Sequence, residues 1–166
     1  KHIFDRMSQA CRAGDLGRLS LRVAAYAASV EDMVLIGGPG PTPWLYDDRL
    51  RLSGLHIAAG APLPASPAGP LRPGAAAQLA RERQAAIQLK NLLSRAAIDG
   101  FQGAVEVRDA MLLPLLLDAL GELGQTYTGE RRWRIELTAM PESADLPRLA
   151  QAGVALSLRQ QTAPPA

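Results

Sequence analysis

From residue 74 onward the spacing of apolar residues switches back and forth between two periods, and this limits the possible folds more than any other feature of the chain. Leu79, Ala86, Leu89, Leu93 and Ala96 share one stripe at helical spacing within residues 74–99, with Arg81, Glu82, Gln84 and Lys90 on other faces. Asp99-Gly100 ends that helix, and Ala104-Val105-Glu106-Val107 reads as a strand. Asp109 can cap a helix over residues 110–123, with Pro114 tolerated in its first turn. Trp133-Arg134-Ile135-Glu136-Leu137 alternates as a strand. Residues 141–152 form a short helix, begun by Ser143 or Asp145 and stopped by Gly153, and Val154-Ala155-Leu156-Ser157-Leu158 is a last strand. Helices regularly interleaved with strands are the mark of crossovers onto a parallel sheet. The expected fold is therefore α/β, with a C-terminal β-α-β-α-β unit on a mostly parallel sheet.

The first 59 residues lean towards β-structure. Ile3, Phe4, Met7, Ala10 and Cys11 form a short helical stripe ended by Gly14. Over residues 16–30, Leu19, Leu21 and Val23 alternate with Arg18, Ser20 and Arg22 and favour a strand, although Leu16, Leu19, Val23 and Ala27 also fit a helix face. Met33-Val34-Leu35-Ile36 is a continuous apolar run ended by Gly37-Gly38, which reads as a buried strand. The three prolines at 39, 41 and 43 exclude regular structure, and Trp44 to Asp48 make a turn. Arg49-Leu50-Arg51-Leu52-Ser53 alternates as a strand, and the apolar set shifts register at Gly54, which predicts a bulge. Residues 60–73 hold Pro62, Pro64, Pro67, Pro70 and Pro73 and read as an exposed loop. An α/β part at 74–159 and a linker-like tail at 160–166 complete the division, and the expectation is one compact domain cut from a longer protein.

With 166 residues, 48% of them hydrophobic and 20% charged, the chain can bury a core without disulfides or metal. Its net charge is +2, and apart from Lys1 and Lys90 every basic residue is arginine. These arginines are scattered and offset by 16 acids, so no nucleic-acid partner is expected. Cys11 is the only cysteine, and a cytoplasmic location fits that usage. No apolar window is long enough to span a membrane.

Candidate chemistry is sparse, and no catalytic residue is assigned. The loop Leu35-Ile36-Gly37-Gly38-Pro39-Gly40-Pro41 lacks the spacing of a phosphate cradle, and prolines 39, 41 and 43 remove the amides such a cradle needs. His2, His56 and Cys11 do not form a zinc pattern, and no metal or cofactor is expected. His56 between Leu55 and Ile57 reads as a hydrogen-bonded wall residue. Glu106 and Glu136 can approach each other from adjacent strands. Arg131, Arg132 and Arg134 beside Trp133 suit anionic groups through fork contacts and stacking. Arg108, Asp109, Thr138 and Arg159 stand at the carboxyl ends of predicted strands, where open α/β sheets place their ligands.

Two short stretches resemble known families. Arg12-Ala13-Gly14-Asp15 has the shape of the inhibitory cyclic di-GMP site of diguanylate cyclase domains, which implies nucleotide contacts at Arg12 and Asp15. Residues 104–158 resemble part of an EAL phosphodiesterase domain, through Ile135-Glu136-Leu137-Thr138 and the run from Leu149 to Leu158. The second resemblance implies a metal-binding role for Glu136. It also implies loss of hydrolysis, because Ala139 replaces the second glutamate and Arg159-Gln160 replace an Asp-Asp pair. The leading functional expectation is a non-catalytic binding or assembly module of a larger bacterial protein, with a protein partner or self-association. The alternative is a sensor domain that binds a nucleotide such as cyclic di-GMP through Arg12, Asp15, Arg131, Arg132 or Arg134, on a degenerate EAL-like fold. An enzyme of unassigned class is the third.

Overall fold

A computed structural model describes residues 1–60, 75–109, 111–129 and 131–159. The proline-rich stretch from residue 61 to 73 and the tail at 160–166 lie outside the described residues. Five helices and five strands are described: α1 His2–Ala13, β1 Val23–Ala27, α2 Val30–Gly37, β2 Leu50–Ala59, α3 Ala75–Ile98, β3 Gln102–Val107, α4 Leu112–Thr126, β4 Arg134–Leu137, α5 Leu146–Ala152 and β5 Ala155–Leu158.

The strands form one sheet in the order β1-β2-β3-β4-β5, and every neighbouring pair is parallel. The α/β expectation thus holds, and the first two strands belong to the same sheet as the last three. Each connection steps to the next strand in the same direction. Right-handed crossovers then put α2, α3, α4 and α5 on one face of the sheet. Their packing agrees, with α2 against α3, α3 against α4, and α4 against α5.

Local chemistry sets the element ends. Gly14 takes the left-handed conformation at φ 75° and its N–H caps the carbonyls of Ala10 and Cys11, closing α1. Gly153 ends α5 in the same conformation, and Pro147 sits in that helix's first turn. The Asp109 carboxylate accepts the Met111 N–H at 3.0 Å and starts the turn into α4.

Met33-Val34-Leu35-Ile36 is not a strand but the body of α2, a correction to the sequence reading. The Ser29 hydroxyl accepts the Asp32 N–H at 3.1 Å, and Glu31 and Asp32 place negative charge in the first turn. Only Met33 of that run is buried, while Val34 and Leu35 face solvent. Between residues 16 and 30 the strand is limited to Val23–Ala27, so Leu19 and Leu21 lie outside it and are exposed.

The bulge expected at Gly54 is present. Ala25 pairs with Leu52 and Tyr26 with Gly54, leaving Ser53 as the extra residue in β2. The core lies between the sheet and the helix layer. Leu52, Leu55, Ile57, Val105, Val107, Ile135 and Leu137 meet Leu89, Leu93, Leu116, Leu120 and Leu149 there. Of the stripe read from the α3 sequence, Leu89, Leu93 and Ala96 are buried and Leu79 is exposed. Among the described residues no helix is long and apolar enough to cross a membrane.

Candidate functional site

Side chains on a strand alternate between faces, so the residues between the core positions point to the side of the sheet opposite α2 to α5. Register fixes which of them are neighbours. One row runs His56, Ala104, Arg134, Ala155, and the next runs Ala58, Glu106, Glu136, Ser157. The ladder continues one residue past β3 and β5, because the Arg108 N–H donates to the Ala59 carbonyl and the Arg159 N–H to the Leu137 carbonyl. Arg108 and Arg159 therefore form a third row at the carboxyl edge. Strands of parallel sheets are usually apolar on both faces. Here one face carries charge in mid-strand instead.

Glu106 is the centre of the group, and only 5% of it is exposed. Its Oε2 accepts Nη2 of Arg108 at 3.0 Å and its Oε1 accepts Nη1 of Arg159 at 2.9 Å. The Arg108 hydrogen bond holds the carboxyl below its ordinary range against the opposing effect of burial, and the nearby charges of Arg108 and Arg159 add to this. The same bond pushes the Arg108 guanidinium up. Glu136, its register partner, is more loosely held. Arg134 Nε lies 3.6 Å from its Oε1, and Arg159 Nη2 and His56 Nε2 lie 3.6 and 3.9 Å from its Oε2. These are ion-pair distances beyond hydrogen-bond range, and Arg134 Nε is buried without an acceptor. The Arg134 guanidinium stacks over the Tyr26 ring at 5.1 Å, and the Tyr26 hydroxyl donates to Gln102 Oε1 at 2.7 Å.

Three guanidiniums against two carboxylates leave this cluster with a positive excess. Glu106 accepts one guanidinium N–H at each carboxylate oxygen, which fixes its orientation between the two arginines. Among the described residues no three His, Cys, Asp or Glu side chains converge on a point that could hold a metal ion. The arginine chemistry at the edge suits an anion, because the Arg108 and Arg159 side chains are 43% and 58% exposed there.

The sequence-derived candidates separate. Of Arg12, Asp15, Arg131, Arg132 and Arg134, only Arg134 joins the polar face. Arg12 Nε donates to the Tyr46 hydroxyl at 3.2 Å, and hydrogen bonds from Ser8 and Arg12 hold that phenol below its ordinary value. Asp15 follows α1, just beyond Gly14. Arg131 stacks on Trp133 at 4.9 Å and lines a hollow of about 760 Å³ between α4 and α5 with Asp118 and Arg148. Arg132 has a positive φ of 48° at the entrance to β4. Arg108 and Arg159 meet at Glu106, whereas Asp109 turns back to its own loop. Glu106 and Glu136 do become register partners, as their strand positions allow. Tyr26 and Gln102 had no signal in the sequence. The bracing of Glu106 did have one: in Glu106-Val107-Arg108, a spacing of two puts both charges on one face. A second hollow of about 460 Å³ lies at the end of β2 against α3 and α4, lined by Ile57, Leu89, Leu92 and Leu112. Arg81, Gln84 and Gln88 of α3 also line it.

A single-wound parallel α/β sheet with α2 to α5 on one face is the class to which this chain's fold belongs. Two solved structures share it, both described as uncharacterized metal-dependent hydrolases. One is from Pyrococcus horikoshii OT3, with TM-score 0.61 and 20% identity over 92% of this chain and 30% of that one. The other is from Pyrococcus furiosus, with TM-score 0.60 and 20% identity over 93% of this chain and 31% of that one. The chain thus spans under a third of the length of either. No protein-family model matches the sequence, and no curated relative does.

Proposed function

We propose that the chain is a non-catalytic binding module that holds an anionic group of its ligand at the carboxyl edge of the sheet, between Arg108 and Arg159. The observation that carries this reading is the buried Glu106 carboxylate, which accepts a hydrogen bond from each of the two guanidiniums and braces both. Bracing restricts two flexible cations before a ligand arrives and so lowers the entropy lost on binding. The location also supports the reading, since ligands of open α/β sheets sit at the strands' carboxyl ends. A nucleotide is the second reading, favoured by Tyr26, whose ring lies on the same face beneath Arg134.

A thermal-shift titration with pyrophosphate, citrate, adenosine monophosphate and cyclic di-GMP tests both readings. A ligand at about 100 times its Kd adds about 2.7 kcal/mol of stability. The expected result is a saturable rise in Tm that Arg159→Ala or Arg108→Ala removes and Arg12→Ala leaves in place. A rise with the nucleotides alone selects the second reading. A flat response to every anion, or a response lost only in Arg12→Ala, overturns the proposal.

A further inference from the structure

The charged side chains that line the hollow between α4 and α5, among the described residues, are Asp118, Glu122, Arg131 and Arg148. Three of them are paired. Arg148 Nη2 lies 2.6 Å from Asp118 Oδ1, and Glu122 meets Lys90 of α3. Arg131 meets no carboxylate among the described residues. Its guanidinium stacks on the Trp133 ring, and its Nη1 is buried without a hydrogen-bond acceptor. A buried donor left unmet is costly, so such an atom in a polar hollow marks a place for an acceptor from outside.

The α4 side of the hollow is partly bare backbone. Gly121 and Gly124 both line it, three residues apart in a helix that glycine weakens. A Cβ on Gly124 would lie 3.3 Å from Arg131 Nη2, so the bare position lets the guanidinium rest against the helix. A Cβ on Gly121 would meet nothing within 4 Å. Both glycines stand in the last two turns of α4, which ends at Thr126. The carbonyl end of a helix is partially negative and suits a cation. Asp118 and Glu122 extend that negative field along the helix.

We infer that this hollow binds a zwitterion with a carboxylate and an ammonium on one carbon, the chemistry of a free α-amino acid. The ligand's carboxylate accepts N–H groups of Arg131, and its ammonium lies towards the end of α4, beside Glu122. The same arrangement rejects other charges. A polyanion such as pyrophosphate gains Arg131 but meets two carboxylates and the helix end. A simple cation gains these but meets Arg131 and Arg148. Arg131 precedes β4, so the hollow lies at the amino end of the sheet, away from Arg108 and Arg159, and the inference does not rest on the anion site there.

Gln125 and Gln151 also line the hollow and can exchange hydrogen bonds with a side-chain amide, which makes L-glutamine the probe. The controls are 4-carbamoylbutanoate, which is glutamine without its ammonium, and L-glutaminamide, whose carboxylate is masked. Binding to the whole chain is followed by calorimetry and by amide resonances. L-Glutamine is expected to bind saturably with shifts at Gly121, Gly124 and Gln151, and both controls to bind about tenfold or more weaker. Arg131→Gln, shown to be folded by its urea unfolding, should weaken L-glutamine about tenfold, with Arg131→Lys in between. No binding of L-glutamine overturns the inference. Equal binding of L-glutamine and either control overturns it as well, as do shifts centred on Arg108 and Arg159 or an affinity that Arg131→Gln leaves unchanged. The three ligands compared on the unaltered chain decide the matter even where the variants do not fold.

Discussion

Gly54→Ala should be among the most damaging single-methyl additions to this fold, and the geometry gives its size. A Cβ at residue 54 would lie 2.2 Å from the Gln102 carbonyl oxygen and 2.7 Å from the Tyr26 ring. Carbon and oxygen ordinarily approach no closer than about 3.3 Å. The β2–β3 ladder would therefore have to open by about 1 Å, and a backbone carbonyl within a ladder has no rotamer to escape into. Overpacking typically costs about 1–3 kcal/mol, and this case belongs at or above the upper end. Gly103→Ala is the control. Its Cβ would lie 2.9 Å from Leu93 Cδ2, the end of a flexible side chain that can turn aside, so a cost of about 1 kcal/mol is expected. Urea unfolding followed by circular dichroism measures both. With m near 2 kcal/mol/M, Gly54→Ala should lower the midpoint by about 1.5 M and Gly103→Ala by about 0.5 M. Equal midpoints for the two variants, or a larger loss in Gly103→Ala, would refute the close approach of β2 and β3 at the bulge.

Three further outcomes follow from the same structure. Ser29→Ala should cost about 1 kcal/mol in urea unfolding, because it removes the hydroxyl that accepts the Asp32 N–H at the start of α2. Leu116→Ala should cost about 2–5 kcal/mol by the same measurement, since Leu116 is completely buried in the helix layer. Glu106→Gln should change the pH dependence of stability, which repeated unfolding between pH 7 and pH 3 would record. The folded carboxyl is held below its ordinary value of 4.5, so its stabilisation is complete above that value and disappears as pH falls through the lower folded one. The wild-type advantage over Glu106→Gln should therefore be constant above about pH 5.5 and shrink towards pH 3. An advantage that grows with acid would contradict the arginine bracing.

The alternation of periods after residue 74 was legible because each element there is long enough, or punctuated clearly enough, to show its spacing. Asp109, Gly100 and Gly153 mark ends that the structure keeps. Met33 to Ile36 misled because four consecutive apolar residues fit a buried strand and a short helix equally well. The deciding signal was Ser29 with Asp32 three residues on, a helix start that precedes the apolar run. The Gly54 bulge was legible because a change of register in an alternating pattern has few other causes.

The polar face was only partly legible. Glu106-Val107-Arg108 and Arg134-Ile135-Glu136 each place a carboxylate and a guanidinium on one side of a strand, which the sequence states directly. Which strands are neighbours is set by crossovers and not by local spacing, so the meeting of Glu106 with Arg159, 53 residues away, needed the fold. Arg12 and Arg131 drew attention because they stand beside a motif or an aromatic residue. In the structure each is occupied by a local ring, that of Tyr46 or Trp133.

The most direct test of the binding role is a titration of the isotopically labelled chain with pyrophosphate, followed by amide and arginine side-chain resonances. Shifts that saturate at Arg108, Arg159 and Glu106, and that Arg159→Ala abolishes, are the expected result. Saturable shifts centred on Arg12 or Arg131, or no shifts while the protein remains folded, would contradict the assignment of the carboxyl edge as the binding site.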